Sequence, residues 1–351
     1  MQFELNSVIK FVLLGMLLPG VQSEDAKTNS LECAKDFSDS TDYFPEKISI
    51  EDATLFQVEY KKYYKIVKNS STKESIVLYQ CGTKQPKVDS VTKYFEIPVS
   101  KVAVKDTSAI SYLSALGVED TIKAVDSTSS ISNACIQKNL KDKTITALST
   151  TNTTLAKEQL SRNKITFTSF DDPKNPDPLS VIISATMDPS LKARAEWLEY
   201  YSLFYNLEGK AQKITGAIND NYNCLKKKAD SLKEKNSIKV AWVSYVEYNE
   251  DKYFTLSGAP FKKNLISDAG AELITSKEEK VKDAASLLEL IKDADVIVDE
   301  SFTIDSFDDF LKAFNLSKGS NNNDKATSSS AFVLKVFSAA GIIALVIPFL
   351  F

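Results

Sequence analysis

The sequence contains no histidine and only two arginines, Arg162 and Arg194, among its 351 residues. Without histidine there is no Ser-His-Asp or Cys-His catalysis, no imidazole general base, and no zinc or iron site built on imidazole. Two arginines cannot form a cluster of bidentate forks for phosphate or carboxylate. The four cysteines, Cys33, Cys81, Cys135 and Cys224, include no Cys-x-x-Cys pair. Disulfides are therefore a better reading than a Cys₄ metal site. Gly-rich phosphate loops, a nucleophile elbow and metal-ligand spacings are all missing. A net charge of −4 argues against a nucleic-acid partner held by a basic surface. What is present is ordinary globular composition, 43% apolar and 26% charged. The length suggests two domains or lobes with a sizeable core.

Both ends read as addresses. Lys10 closes a weakly basic region, Phe11 to Val21 is apolar, and Val21-Gln22-Ser23 suits signal-peptide cleavage before Glu24. At the other end, Gly319 to Ser330 holds only Gly, Ser, Asn, Asp, Lys, Ala and Thr, followed by an apolar tail from Ala331 to Phe351. Small residues, a polar spacer of roughly ten residues and an apolar tail form the pattern of a GPI attachment signal. The rival is a transmembrane helix. The uninterrupted run from Val336 to Phe351 is shorter than the roughly 20 residues a span needs. No basic flank follows it. The expected attachment residue is Asn321 or Asn322. Removing both ends takes away three lysines and two acids and leaves a mildly acidic ectodomain.

Secretion favours two disulfides. Cys33–Cys81 with Cys135–Cys224 is the preferred pairing, since the first would tie down the N-terminal segment, although sequence leaves all three connectivities open. Sequons begin at Asn69, Asn152 and Asn315, each in a polar stretch suited to a loop and to glycosylation.

The expected order is residues 1–23 signal peptide, 24–207 N-terminal segment and lobe 1, 208–235 linking helix, 236–318 lobe 2, and 319–351 anchor signal. Phe56 to Val67 and Ser75 to Cys81 predict a hairpin across the polar loop Asn69 to Lys73. Tyr94 to Val104 predicts a strand with a bend or edge at Pro98. Short strands then alternate with helices, which implies a parallel sheet covered on both faces. Asp188-Pro189 predicts a helix start with proline at its first position. A helix over about Glu208 to Glu234 follows, roughly 40 Å long, with Ile214, Ile218, Leu225 and Leu232 on a buried stripe. Strand Ile238 to Val246 and strand Val296 to Val298, with helices Pro260 to Ala269 and Ala284 to Lys292 between them, make a smaller α/β lobe.

The stretch IPVSKVAVKDTSAISYLSALGVEDTIKAV, from Ile97 to Val125, resembles the first β-α-β unit of the periplasmic-binding-protein fold of the iron-siderophore and cobalamin class (class III). KVAWVSYVEYNEDKYFTLSGAPFKKNLISDAGAEL, Lys239 to Leu273, is similar to the opening of that family's second lobe, and DADVIVD, Asp293 to Asp299, to its late strand. DYFPEKI, VEYKKYYKIV and LYQCG, between Asp42 and Gly82, look like secreted eukaryotic members. The resemblance covers most of residues 42–315. It implies two α/β lobes joined by one long helix, a cleft between them with modest hinge motion, and solute capture rather than catalysis. The chain departs from bacterial members in its expected GPI anchor and its lack of histidine, which puts delivery to a membrane importer in doubt.

In parallel α/β sheets ligands meet the carboxyl ends of strands, which nominates three groups. Thr107 and Ser108, after Asp106, open a helix whose free N–H groups suit an anion; plain helix capping competes. Tyr245, Glu247 and Tyr248 offer flat faces with hydroxyl handles; a surface loop competes. Asp299 and Glu300 suit a cation or a basic group, against a solvated turn. Arg194 suits an anion, against an ion pair with Glu196 or Glu199. The expected function is therefore a GPI-anchored cell-surface protein that binds a small solute, a metal chelate or siderophore-like ligand, without cofactor or enzyme activity. The alternatives are a cell-wall structural or adhesion scaffold and, more weakly, a carboxylate-based hydrolase.

Overall fold

Runs rich in Tyr, Val and Ile, punctuated by short polar turns, build the first sheet. The computed structural model describes residues 28–89, 91, 93–126, 128–172, 177–232, 238–248, 251–301 and 332–335. In it β1 (Phe56–Tyr60), β2 (Tyr64–Asn69) and β3 (Glu74–Gln80) are antiparallel, and β4 (Lys93–Ile97) lies parallel to β3. The run expected as one strand over 56–67 turns back between Tyr60 and Tyr64, so the expected hairpin is a three-stranded meander. The chain leaves this sheet at the cis Ile97–Pro98 bond. The segment expected as one strand to Val104 is therefore two strands in two sheets, with Pro98 at the changeover.

Lobe 1 is a wholly parallel sheet of β5 (Val102–Val104), β6 (Ile122–Val125), β7 (Thr146–Ala147), β8 (Ile165–Thr168) and β9 (Ser180–Ile182). Its order is β7-β6-β5-β8-β9, which reverses direction between β5 and β8. Helices α1 (Ser108–Ala115), α2 (Ala134–Lys141), α3 (Thr153–Ser161) and α4 (Leu191–Ser202) accompany it. The first sheet and lobe 1 share one hydrophobic core. Phe56 packs edge-on against Trp197 and Tyr200 of α4, while Phe167 of β8 meets Tyr201 and Phe204. The α4 start is shifted from the sequence expectation. Ser190 is the N-cap, accepting from Ala193 N at 3.0 Å, as a serine at that position commonly does. Asp188 instead accepts from Trp197 Nε1 at 2.6 Å and from Thr54 Oγ1 at 3.0 Å, which ties α4 to the N-terminal segment.

The linking helix α5 (Glu208–Leu232) has 25 residues. Its expected buried stripe fails toward the C-terminus: Ile214 and Ile218 are half-buried, but Leu225 and Leu232 are 59% and 61% exposed. The reason is that the helix outruns lobe 1, while lobe 2 meets it on a different stripe. Tyr222 Oη donates to Asp268 at 2.6 Å, and Lys226 pairs with the same carboxylate at 2.5 Å. At Gly270 (φ 81°) a Cβ would sit 3.1 Å from the Ala229 carbonyl oxygen. The left-handed conformation and the close approach both select glycine there.

Lobe 2 contains β10 (Lys239–Tyr248), β11 (Asp251–Leu256), α6 (Pro260–Asp268), β12 (Glu272–Leu273), β13 (Lys280–Val281), α7 (Ala284–Ile291) and β14 (Val296–Asp299). A further strand, β15 (Phe332–Lys335), lies parallel to β14; it falls inside residues 319–351, expected as a removed anchor signal, so the lobe 2 sheet includes a strand that such processing would take away. Alternate residues of β10 face opposite cores, as the period of a strand requires. Ala241 and Val243 join Leu287 and Ile291 of α7, while Val240 and Trp242 join Ile266 of α6. The antiparallel β10–β11 hairpin is absent from the sequence expectation.

Of the expected disulfides, Cys33–Cys81 is formed, with a Cα–Cα distance of 4.6 Å. Cys135–Cys224 is not; both thiols are free and exposed. Cys224 lies on the face of α5 turned from Tyr222 and Lys226, hence away from lobe 2. The signal segment, Asn315 and the anchor residues Asn321 and Asn322 lie outside the described residues. Among the described residues no helix is long and apolar enough to cross a membrane, and no group of three or more acids and cysteines is placed to hold a metal.

Candidate functional site

The strand order reverses between β5 and β8, and the carboxyl ends of strands at such a switch point are the usual ligand position in an open parallel sheet. Lys105 N donates to Phe167 O at 2.8 Å, and the chain then enters α1. Here the capping reading prevails. Asp106 Oδ1 accepts from Ser108 N at 3.0 Å and from Ser108 Oγ at 2.7 Å. The helix start is thus already served by its own carboxylate, a local side-chain bond of the Asx type. Thr107, the N-cap, makes no side-chain cap bond and is half-buried.

The same carboxyl edge carries the contact between lobes. The segment after β9 contains a single 3₁₀ turn, Ala185–Met187, and leads into α4. Asn264 of α6 donates to Pro189 O at 2.9 Å, and the Arg194 guanidinium carbon lies 3.6 Å from the Phe261 ring centroid. Arg194 is thus neither a surface ion-pair residue nor a free anion ligand. Its Nε donates to Asp188 O at 2.9 Å and its Nη2 to Thr186 O at 2.5 Å. Those bonds hold the planar fork flat against the aromatic face. Burial, opposed by the Tyr112 and Asp188 charges, pulls its pKa below the ordinary arginine value. The expected partners are engaged elsewhere. Glu196 accepts the backbone N–H groups of Glu51, Asp52 and Ala53 at 2.6, 2.8 and 2.5 Å, and Glu199 accepts from Thr215 Oγ1 at 2.5 Å.

Glu300 comes near this junction. Its Oε2 accepts from Trp242 Nε1 at 2.8 Å and pairs with Lys262, the residue after Phe261. Lys262 also lies 5.0 Å from the Trp242 ring. The structure therefore brings Arg194 and Glu300 to neighbouring residues of α6. The other lobe-2 candidates lie differently. Asp299 is not in a solvated turn: it is 1% exposed, and its Oδ1 accepts from Ser301 N at 2.9 Å and Ser301 Oγ at 2.6 Å. Tyr245, Glu247 and Tyr248 are not a loop after a strand but the last part of β10, paired with Phe254, Lys252 and Asp251. The Tyr245 ring packs on Phe254 at 5.2 Å, and Glu247 pairs with Lys252 at 2.9 Å.

Sequence reasoning missed Phe261 and Asn264, and also Phe170 and Met187. The last two follow β8 and β9 and are 70% and 64% exposed. Phe170 lies two residues past β8, and Met187 ends the 3₁₀ turn after β9, where its sulfur accepts from Ser71 Oγ at 3.4 Å; the sequence carries no motif that marks either as exposed.

No protein-family model matches the chain, and no curated protein matches it. Solved structures do. A periplasmic binding protein from Veillonella parvula DSM 2008 aligns over 71% of this chain and 82% of its own at 13% identity, TM-score 0.50. The ABC-type Fe3+-hydroxamate transport system structure from Saccharomonospora viridis DSM 43017 covers 61% of this chain and 79% of its own at 14% identity, TM-score 0.44. The heme binding protein HmuT covers 82% and 81% at 14% identity, TM-score 0.45. The first likeness gives the chain the fold of a periplasmic binding protein; identities this low speak of fold alone.

Proposed function

We propose that this chain is a GPI-anchored cell-surface protein that holds a small solute, of the metal-chelate or siderophore-like kind, between its lobes. The observation that carries the reading is the position of the junction. Lobe 2 meets lobe 1 through the segment after β9, on the carboxyl edge of a parallel sheet that has a switch point between β5 and β8. Such edges, where two lobes meet, are where small ligands ordinarily bind. Phe170 and Met187, exposed on the same edge, offer apolar surface for the organic part of a chelate.

The scaffold reading has its own support. Ser108, Glu300 and Tyr245 are each engaged by neighbours within their own lobe, which leaves them fewer free sites to offer a ligand. A thermal-shift panel of ferric trihydroxamates, haem, corrinoids and sugars separates the two. A ligand at a hundred times its Kd adds about 2.7 kcal/mol, so a true ligand raises Tm in a saturable way, and Phe170→Ala lowers its affinity. No shift from any compound favours the scaffold. For the anchor, phosphatidylinositol-specific phospholipase C releases the protein from membranes, and the mature chain ends within residues 319–323. A mature C-terminal peptide ending at Phe351 overturns the anchor.

A further inference from the structure

Among the described residues, the solvent face of α5 has no partner. At the 3.6-residue period Gly216, Ala217, Asp220, Cys224, Lys228 and Ser231 form one stripe, and every one of them is exposed. A Cβ on Gly216 would meet nothing within 4 Å. Beside the thiol, Asn223, Cys224, Lys226, Lys227 and Asp230 line a shallow depression of about 470 Å³.

We propose that this face pairs two copies of the chain through antiparallel α5 helices, joined by a Cys224–Cys224 disulfide on the two-fold axis. The charges choose the occupant and its direction. In a two-fold antiparallel pair centred on residue 224, each residue lies level with one equally far on the other side of the centre. Lys228 of one copy comes level with Asp220 of the other, twice over, by symmetry. A parallel pair would set Asp220 beside Asp220 and Lys228 beside Lys228. Seven residues out, about 10 Å along the helix, Ser231 comes level with Ala217, so the seam is small there. The disulfide geometry fits as well. A Cα–Cα distance of about 5.5 Å plus two Cα radii of about 2.3 Å sets the axes about 10 Å apart, inside the range of packed helices. Two helices alone bury less than the roughly 1,200 Å² of a stable interface, so the covalent bond is what makes the pair persist.

The bond forms by thiol–disulfide exchange with a small or protein disulfide donor. Two Cys224 S–H bonds break and one Sγ–Sγ bond forms. The two electrons and two protons reduce the donor's disulfide to two thiols. The formed Cys33–Cys81 bridge places the chain where such donors operate.

The test uses the full ectodomain, run by non-reducing electrophoresis and by light scattering with and without dithiothreitol. The expected result is a species of twice the monomer mass that dithiothreitol and Cys224→Ser both abolish and Cys135→Ser leaves intact. Asp220→Lys slows its formation by about tenfold, and adding Lys228→Asp restores it, which a thiol reacting without a docking surface would not show. A monomer with both thiols titratable, a dimer linked through Cys135, or an internal Cys135–Cys224 bridge each overturns the proposal.

Discussion

Two buried carboxylates, Glu199 of α4 and Glu208 of α5, have opposite characters. Glu208 pairs with Lys65 at 2.5 Å, both side chains fully buried. The ammonium also donates to Leu203 O at 2.9 Å and Asn206 Oδ1 at 2.8 Å, and Glu208 accepts from Asn29 Nδ2 at 2.7 Å. Burial pulls the lysine pKa down and the Glu208 charge pushes back. Breaking one side of such a pair costs about 3–5 kcal/mol. Lys65→Met should therefore lose that much in denaturant unfolding, and Lys65→Met with Glu208→Gln should lose less than the single change; equal losses would mean the carboxylate was never dependent on the lysine. Glu199, by contrast, has only Thr215 as its polar partner among the described residues. Burial, with the Glu196 and Glu51 charges adding, raises its pKa from 4.5 to about 7. Between these values the folded state keeps a proton that the unfolded chain has lost. This group's contribution to stability therefore falls as pH climbs from 4.5 to about 7 and is level above. The Tm of the wild type minus that of Glu199→Gln should decline from about pH 5 to about pH 8. A difference independent of pH sinks this assignment.

At the scale of elements, side chains at strand and helix ends decide what modification can reach. Asn69 ends β2 rather than lying in the expected loop. It is 3% exposed, and its Nδ2 donates to Ile182 O and Ser184 Oγ at 3.0 Å each. Asn152 is the exposed N-cap of α3 and uses only its carbonyl oxygen there, accepting from Leu155 N at 3.0 Å. Peptide mapping after glycosidase treatment should find glycan at Asn152 and none at Asn69, because the amide nitrogen a glycan needs is already engaged inside the fold. An occupied Asn69 would contradict the packing of β2 against the segment after β9. The same contrast shows what sequence could tell. Helix and strand periods placed α5, α6, α7 and β14, since each carries its own local pattern. Short-range pattern could not reveal that Pro98 separates two sheets or that Asp188 is captured by Trp197, because those outcomes depend on residues far along the chain. Whether the site candidates are free to bind is out of reach of local pattern for a related reason. Asp106, Glu300 and Tyr245 are chemically suited to a ligand, but whether a suitable group is available depends on neighbours such as Ser108, Lys262 and Phe254, which only the folded chain supplies.

For the whole molecule, the two lobes are unequal and their joint is narrow. Lobe 1 and the first sheet share one large core centred on Trp197, Tyr200, Tyr201 and Phe204. Lobe 2 divides its apolar residues between two small clusters on opposite sheet faces. Stability rises with contiguous buried apolar surface, so lobe 2 should open locally at a lower free energy than lobe 1. Among the described residues the joint includes Arg194 on Phe261, Asn264 on Pro189, and Asp268 on Tyr222 and Lys226, all through helix α6, with Gly270 just beyond it close to Ala229. A stacked cation on an aromatic face contributes about 0.5–2 kcal/mol. Phe261→Ala removes that contact, and Arg194 keeps its bonds to Asp188 and Thr186. Hydrogen exchange should then quicken in α6 and in the segment from Thr186 to Arg194, while amides of β3, β5 and β8 keep their wild-type protection. Exchange that quickens equally in β5 and β8 would show Phe261 to be part of the lobe 1 fold, and the narrow-joint account would fail. Unchanged exchange in α6 would mean that Asp268, with Tyr222 and Lys226, holds the lobes without help from the stacked arginine.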